Sequence, residues 1–451
     1  MGNIYNFLKN VLTDIKSENR ENNSFIFLLF FFVTIPLSLG LNNVFLILFL
    51  VSIFFLAERK KINFSEELFF PILFYIIMLF SYFWTINKNT TLNAIPKEIV
   101  LLLIPLSFMV LQPITERYKS KILKYYSYSI VLFVIYFLIR AIIRFFIFKD
   151  ISFFFYHGEY DNDIGLVPKD LNAIHVSVFV AIAFFYFYTS STNQIFNTII
   201  LIVLFGFIVL LSSKNIILVF IILILIHFFF FSKSGNKMRL RNIFLFLIII
   251  GFVFSFGKIK ERFQLEFQTN SDKSLSSNVI KGLPEGVHNV SIAEAWTNEK
   301  FTPNHFFPGT AFRVYQARLF FEFLNEEDIF WTGFGLNASY EKIEEKAKYY
   351  DVFQGNKKIE GYQKKNFHNQ YIQVFAELGF LGFLLLLLLL FLNLKRAIKY
   401  KDFIHITFAV LMISVFLTES FLWRQRGVVF FTIFYCLFNS KEIKFNSKEN
   451  K

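Results

Sequence analysis

Apolar runs long enough to cross a bilayer recur along most of this sequence, and no other feature narrows its possible folds so far. A segment that crosses about 30 Å of hydrocarbon must satisfy its own backbone N–H and C=O groups, so it spans as a helix or within a closed barrel. The runs lack the polar–apolar alternation of barrel strands, which leaves helices. Spans are expected near 24–40, 42–57, 67–84, 98–113, 122–148, 171–190, 194–212, 215–231, 241–257, 371–393, 402–420 and 426–439. With 55% apolar and 20% aromatic residues, the chain is too apolar for the surface of a soluble fold. The expected class is an all-α polytopic membrane protein of about twelve transmembrane helices.

The net charge of +13 suits a topological reading better than a nucleic-acid partner, because the positive residues cluster in alternate connections. Lys9, Lys16 and Arg20, then Arg59, Lys60 and Lys61, then Arg117, Lys119 and Lys121, then Arg239 and Arg241, then Lys395, Arg396 and Lys401 fall on one side of the span pattern. Lys88, Lys97, Lys149, Lys169, Lys214, Arg424 and Arg426 fall on the other. The bias places both termini in the cytoplasm, with the first span retained rather than cleaved as a signal peptide. Cys436 lies in the last span and has no second cysteine to bond; it reads as a small packed residue.

The expected domains are an N-terminal bundle of about nine spans (1–257), a large periplasmic loop (258–370), C-terminal transmembrane helices (371–439) and a cytoplasmic tail (440–451). So long a loop between the ninth and tenth spans is expected to be functional. Its first part is rich in Ser, Asn, Lys and Gly, whereas 310–323 and 337–350 have helical patterns. Between those helices, the segment from Trp331 to Asn337 contains Gly333 and Gly335 and reads as a tight turn. A shorter outer segment carries Asp161 and Asp163, either a cation-holding pair or a solvated acidic turn.

Where the long loop enters the next span, residues Asn366 to Gly382 read NFHNQYIQVFAELGFLG. With Arg313 and the Gly333-Phe-Gly335 turn upstream, this stretch resembles the signature of the O-antigen ligase family, which includes O-antigen polymerases and protein O-oligosaccharyltransferases. The resemblance runs from about Leu211 to Phe431. This chain departs from it in having Gln316 or Ala317 in place of an aromatic residue, Ile372 in place of Leu, and Lys214 in place of Arg. It implies a GT-C-like membrane transferase without a cofactor or metal. Such an enzyme passes a glycan, with inversion, from undecaprenyl diphosphate to an acceptor hydroxyl on the periplasmic side. An O-antigen ligase acting on lipid A core is expected ahead of a repeat-unit or capsule polymerase. A flippase for lipid-linked glycans is the reading from another class, but it would lean on repeated halves, and no internal repeat is found.

The implied chemistry needs a base near neutral pKa and cations for the diphosphate, both at the membrane surface. His368 is the expected base, with a helix cap as the alternative. Arg313 and Lys214 are expected to hold the diphosphate, together with Arg140 and Arg144, which share one helical face within a span and alternatively snorkel to the surface. Arg318, Asn369 and Glu377 are expected to support the site. Arg318 is five residues from Arg313 and so points elsewhere on a helix. Glu419, Arg424 and Arg426 are read as an ion-paired cluster holding an outer connection, and His175 and His405 as hydrogen-bonded packing residues. His288 and His305 fit no metal motif.

Overall fold

The computed structural model describes residues 2–56, 65–111, 114–155, 165–190, 194–211, 213–231, 288–356 and 360–440. The expected ninth span at 241–257, the first part of the long loop, Asp161 with Asp163, and 441–451 of the tail lie outside these residues.

The N-terminal half contains α1 (Gly2–Glu21), α2 (Phe25–Val33), α3 (Leu39–Leu56), α4 (Glu66–Phe80), α5 (Lys88–Glu98), α6 (Val100–Val110), α7 (Glu116–Phe148), α8 (Ala173–Thr189), α9 (Gln194–Leu211) and α10 (Lys214–Ile226). The loop domain contains α11 (Ile292–Thr297), α12 (Gly309–Glu326) and α13 (Ser339–Tyr349). A parallel bridge joins β1 (His288–Asn289) to β2 (His305–Phe306). The chain then forms α14 (Gln370–Tyr400), α15 (Phe403–Phe416) and α16 (Gln425–Asn439).

Among the described residues, five helical stretches are long and apolar enough to cross a membrane: Glu66–Phe83, Lys88–Val110, Glu116–Phe148, Lys214–Phe231 and Gln370–Tyr400. Leu39–Phe55, Ala173–Thr189, Ile195–Leu211 and Phe403–Phe416 are apolar but shorter. One expected outer connection is itself helical: α5 begins at Lys88 because the Asn87 side chain caps it, accepting from Thr90 N at 2.9 Å. Hydropathy passes over α5 because its first turns are polar, yet Thr91, Ala94 and Glu98 are buried. The first two expected spans part at Thr34–Ser38 rather than at Gly40. The carbonyls freed there are met by Arg426, whose Nη1 donates to Ile35 O at 2.9 Å and Leu37 O at 2.6 Å.

Ion pairs gather at one end of the bundle. Lys121 meets Asp14 and Glu18, Arg117 meets Glu18, Lys119 meets Asp402 at 3.0 Å, and Arg396 meets Glu67 at 2.9 Å. These pairs join the start of α7, the start of α15 and the last turns of α14, so the loop domain caps the opposite end. Its core is aromatic: Phe301, Phe307, Tyr315 and Tyr350 pack ring to ring, with Leu319 and Phe323 beneath.

The Gly333–Gly335 turn docks on the backbone of α14. Phe334 N donates to Ala376 O at 2.8 Å, Gly335 N to Glu377 O at 2.9 Å, and Phe380 N to Phe330 O at 2.7 Å. Gly333 has φ 67° and Gly379, where α14 kinks, has φ 66°. A side chain at Gly333 would run into the Glu377 backbone, and one at Gly379 into the Trp331 carbonyl. The two glycine motifs therefore meet each other, which is what lets a loop lie flush against a helix.

Candidate active site

His368 immediately precedes the cap of α14. Asn369 caps that helix, its Oδ1 accepting from Tyr371 N at 3.0 Å and Ile372 N at 3.1 Å. His368 itself is left-handed, with φ 46°, and its backbone N donates to Asn366 Oδ1 at 3.0 Å. Outside glycine this conformation is uncommon and mildly strained, and such strain concentrates at functional positions. The cap therefore belongs to Asn369, and the imidazole of His368 is left for another partner.

That partner is Glu419, in the connection between α15 and α16: His368 Nδ1 lies 3.2 Å from Glu419 Oε2. The His368 side chain is 28% exposed and that of Glu419 only 6%. Burial alone would raise the Glu419 carboxyl, but the hydrogen bond with His368, with Arg424 nearby, holds it below the usual carboxylate range. A carboxylate at Nδ1 favours the tautomer with its proton there, leaving the Nε2 lone pair to accept one. The ring edge of Phe312 packs against the same imidazole, with centroids 5.7 Å apart.

The connection carrying Glu419 is a meeting point. Arg313, one turn into α12, donates from Nε to Thr418 O at 3.0 Å and from Nη1 to Gly309 O at 3.0 Å. Asn215, beside Lys214 in the first turn of α10, donates from Nδ2 to Thr418 Oγ1 and to Ser414 O, each at 2.9 Å. Asn172, the cap of α8, places Nδ2 3.5 Å from Glu419 Oε1. Gln370 in the first turn of α14 accepts from Leu422 N at 2.7 Å, and Arg424 is the N-cap residue of α16. The N-termini of α8, α10, α14 and α16 thus adjoin one connection. Helix N-termini carry partial positive charge, so their convergence with Lys214, Arg313 and Arg424 favours an anion.

Beneath the pair runs a buried polar chain. Glu377 accepts from Ser339 Oγ at 3.0 Å and from Gln373 Nε2. Gln373 Oε1 in turn accepts from Phe367 N at 3.2 Å and from Ser420 Oγ at 3.3 Å. One glutamine therefore grips the residue before His368 and the residue after Glu419.

Other expected residues fall elsewhere. Arg318 neither joins this group nor lies solvated on the surface. Mostly buried, it donates to Glu322 at 2.9 Å, Asn298 O at 2.7 Å and Tyr350 Oη at 2.9 Å inside the loop domain. Arg140 and Arg144 sit over the rings of Phe137 and Phe153, which belong to α7 and the turn after it. The expected ion pair within Glu419, Arg424 and Arg426 is replaced: Glu419 pairs with His368, and Arg426 holds the carbonyls of the α2–α3 break. His405 is hydrogen-bonded to Asn393 at 2.8 Å, whereas His175 stacks on Phe421 with centroids 4.0 Å apart and neither ring nitrogen bonded among the described residues.

Sequence reasoning missed the roles of Glu419, Gln373, Thr418 and Asn215. Glu419 had a signal: a carboxylate between two spans, at the His368 end by span parity. Nearby arginines offered themselves as its partners, and only the fold brings His368 closer.

Residues 178–387 match the protein-family model described as O-antigen ligase. The match takes in Lys214, Arg313, His368 and Glu377 and ends before Glu419. No curated protein matches the chain.

Proposed function

Since the chain belongs over residues 178–387 to the O-antigen ligase family, we propose that it transfers a glycan from undecaprenyl diphosphate to an acceptor hydroxyl, with lipid A core as acceptor. The observation that carries this reading is the His368–Glu419 pair at the cap of a membrane helix, with Arg313 bonded to the residue beside Glu419. His368 Nε2 takes the proton of the acceptor hydroxyl as its oxygen attacks the anomeric carbon. The bond from that carbon to the diphosphate oxygen breaks in the same displacement, which inverts the centre. Glu419 keeps the imidazole in the receptive tautomer and stabilises the charge it gains. Arg313 and Lys214 neutralise the diphosphate as it leaves, helped by the N-termini of α8, α10, α14 and α16. Arg140 and Arg144 attend the carrier from α7, whose C-terminal end faces the same side. The basic end of the bundle is cytoplasmic and the His368 end periplasmic, in keeping with the Lys/Arg bias.

The test is transfer by the purified chain, supplied with an undecaprenyl diphosphate glycan and offered lipid A core or a second lipid-linked repeat. Glycan on lipid A core supports the ligase reading. Chain extension alone makes the protein a polymerase, and no transfer to either acceptor contradicts the proposal.

A further inference from the structure

Most exposed residues of the loop domain, among those described, are polar or charged, as on α13, where Glu341, Glu344, Glu345 and Lys348 are exposed. One side differs. Trp296 and Phe321 are 47% and 51% exposed and touch each other, with centroids 6.0 Å apart, and Ile292 lies one turn before Trp296 on α11. Phe330 and Trp331 are exposed too, Trp331 by 60%. So many large apolar groups on one flank of an extramembrane domain need a cover.

Continuity with the membrane helices supplies it. Below its kink, α14 exposes Leu381, Leu384, Leu387 and Phe391, a lipid-facing stripe. Counting up from Lys395, about 20 residues at about 1.5 Å each cross the hydrocarbon, which brings its loop-side boundary to the level of Phe375. Phe330 and Trp331 pack on Phe380, with centroids 5.6 and 5.8 Å away, and so lie below that boundary. Phe320 packs on Phe375 at 5.4 Å, at the boundary itself. The ring of Phe321, next on α12, lies 5.6 Å from that of Phe320 and Trp296 lies 6.0 Å beyond, so the patch continues from that boundary.

We propose that Ile292, Trp296, Phe321, Phe330 and Trp331 form a seat immersed in the loop-side leaflet of the bilayer, with phospholipid as the occupant. Tryptophan suits this depth because its ring is apolar while its N–H reaches the head groups. The seat fixes the height of α12, and with it Arg313, against lipid phosphates. This consequence rests on the transferase reading; the seating itself does not.

The chain has four tryptophans, so Trp84→Phe, Trp331→Phe and Trp423→Phe together leave Trp296 as the sole emitter. In the full-length protein reconstituted into phosphatidylethanolamine–phosphatidylglycerol nanodiscs, lipids brominated near the head group should quench Trp296, and aqueous iodide should not. Quenching by iodide with none by bromine overturns the proposal. A second measurement leaves the tryptophans intact. In a Cys436→Ser background, Phe321→Cys should react several-fold more slowly with a membrane-impermeant maleimide than Glu344→Cys does. Equal rates overturn the seat.

Discussion

His368 and Glu419 stand 51 residues apart in the chain, yet their side chains meet at 3.2 Å because the cap of α14 and the α15–α16 connection lie at the same end of the bundle. If the carboxylate sets the imidazole tautomer, Glu419→Gln should lower transfer while leaving the protein folded in the membrane. An amide keeps the shape, but it cannot stabilise the imidazolium and it accepts or donates indifferently. A fall of about 10²-fold or more is expected from the loss of base function, read as transfer rate with purified components. Unchanged transfer would show that the pair is structural.

The anion-holding role predicts unequal effects at two cations. Arg313→Ala removes a guanidinium next to Thr418 and should cost about 10²–10³-fold in transfer, as loss of a charge-stabilising donor does. Lys214→Arg keeps the charge at the start of α10 and should retain most activity. Transfer rates of both variants in one assay decide the matter; full activity in Arg313→Ala would put the diphosphate elsewhere.

Much of this arrangement is legible in sequence because local patterns carry it. Helices α12 and α13 follow the apolar spacing after Thr310 and the charged run before Tyr350, and α14 begins at the His–Asn boundary. What does not read out is long-range pairing. Nothing local in Thr-Glu-Ser distinguishes a carboxylate bound for His368 from one bound for Arg424. Arg318 looks as available as Arg313 until the fold sets Glu322 and Tyr350 around it. The polar start of α5 likewise hides a helix whose burial is decided by its neighbours rather than by its own hydropathy.

Gln373 offers a test of positioning apart from chemistry. Gln373→Leu fills the same space but releases Phe367 N and Ser420 Oγ, so both flanks of the pair lose an anchor. Turnover should fall while affinity for the lipid-linked donor holds, because no cation is disturbed. An affinity loss with unchanged turnover would contradict the positioning role.

The glycine contacts predict a stability effect. At Gly333, positive φ and the nearby Glu377 backbone both oppose a side chain, so Gly333→Ala should destabilise by more than about 1 kcal/mol. Thermal unfolding of the purified protein reads this directly; Gly206→Ala, inside α9 with open space around it, should not destabilise and serves as the control.

Inside the loop domain, burial would raise the Glu322 carboxyl, but the Tyr350 hydroxyl, Lys346 and Arg318 outweigh it and hold the group below the usual range. A folded pKa lower than the unfolded one adds stability that is complete above the unfolded value and is lost as pH falls through the folded one. Glu322→Gln should therefore destabilise at neutral pH, with the gap from wild type narrowing on acidification below the usual carboxylate range. A gap independent of pH would mean that the carboxylate's charge is not what holds the network.

The base is tested most directly by His368→Gln, which keeps polar contacts near Glu419 but cannot take a proton. In a purified system with undecaprenyl diphosphate glycan and acceptor, the variant should insert and bind donor normally, yet transfer about 10²–10⁴-fold more slowly, so that donor accumulates. Transfer near the wild-type rate would contradict the account, and loss of the folded protein from the membrane would make His368 a structural residue instead.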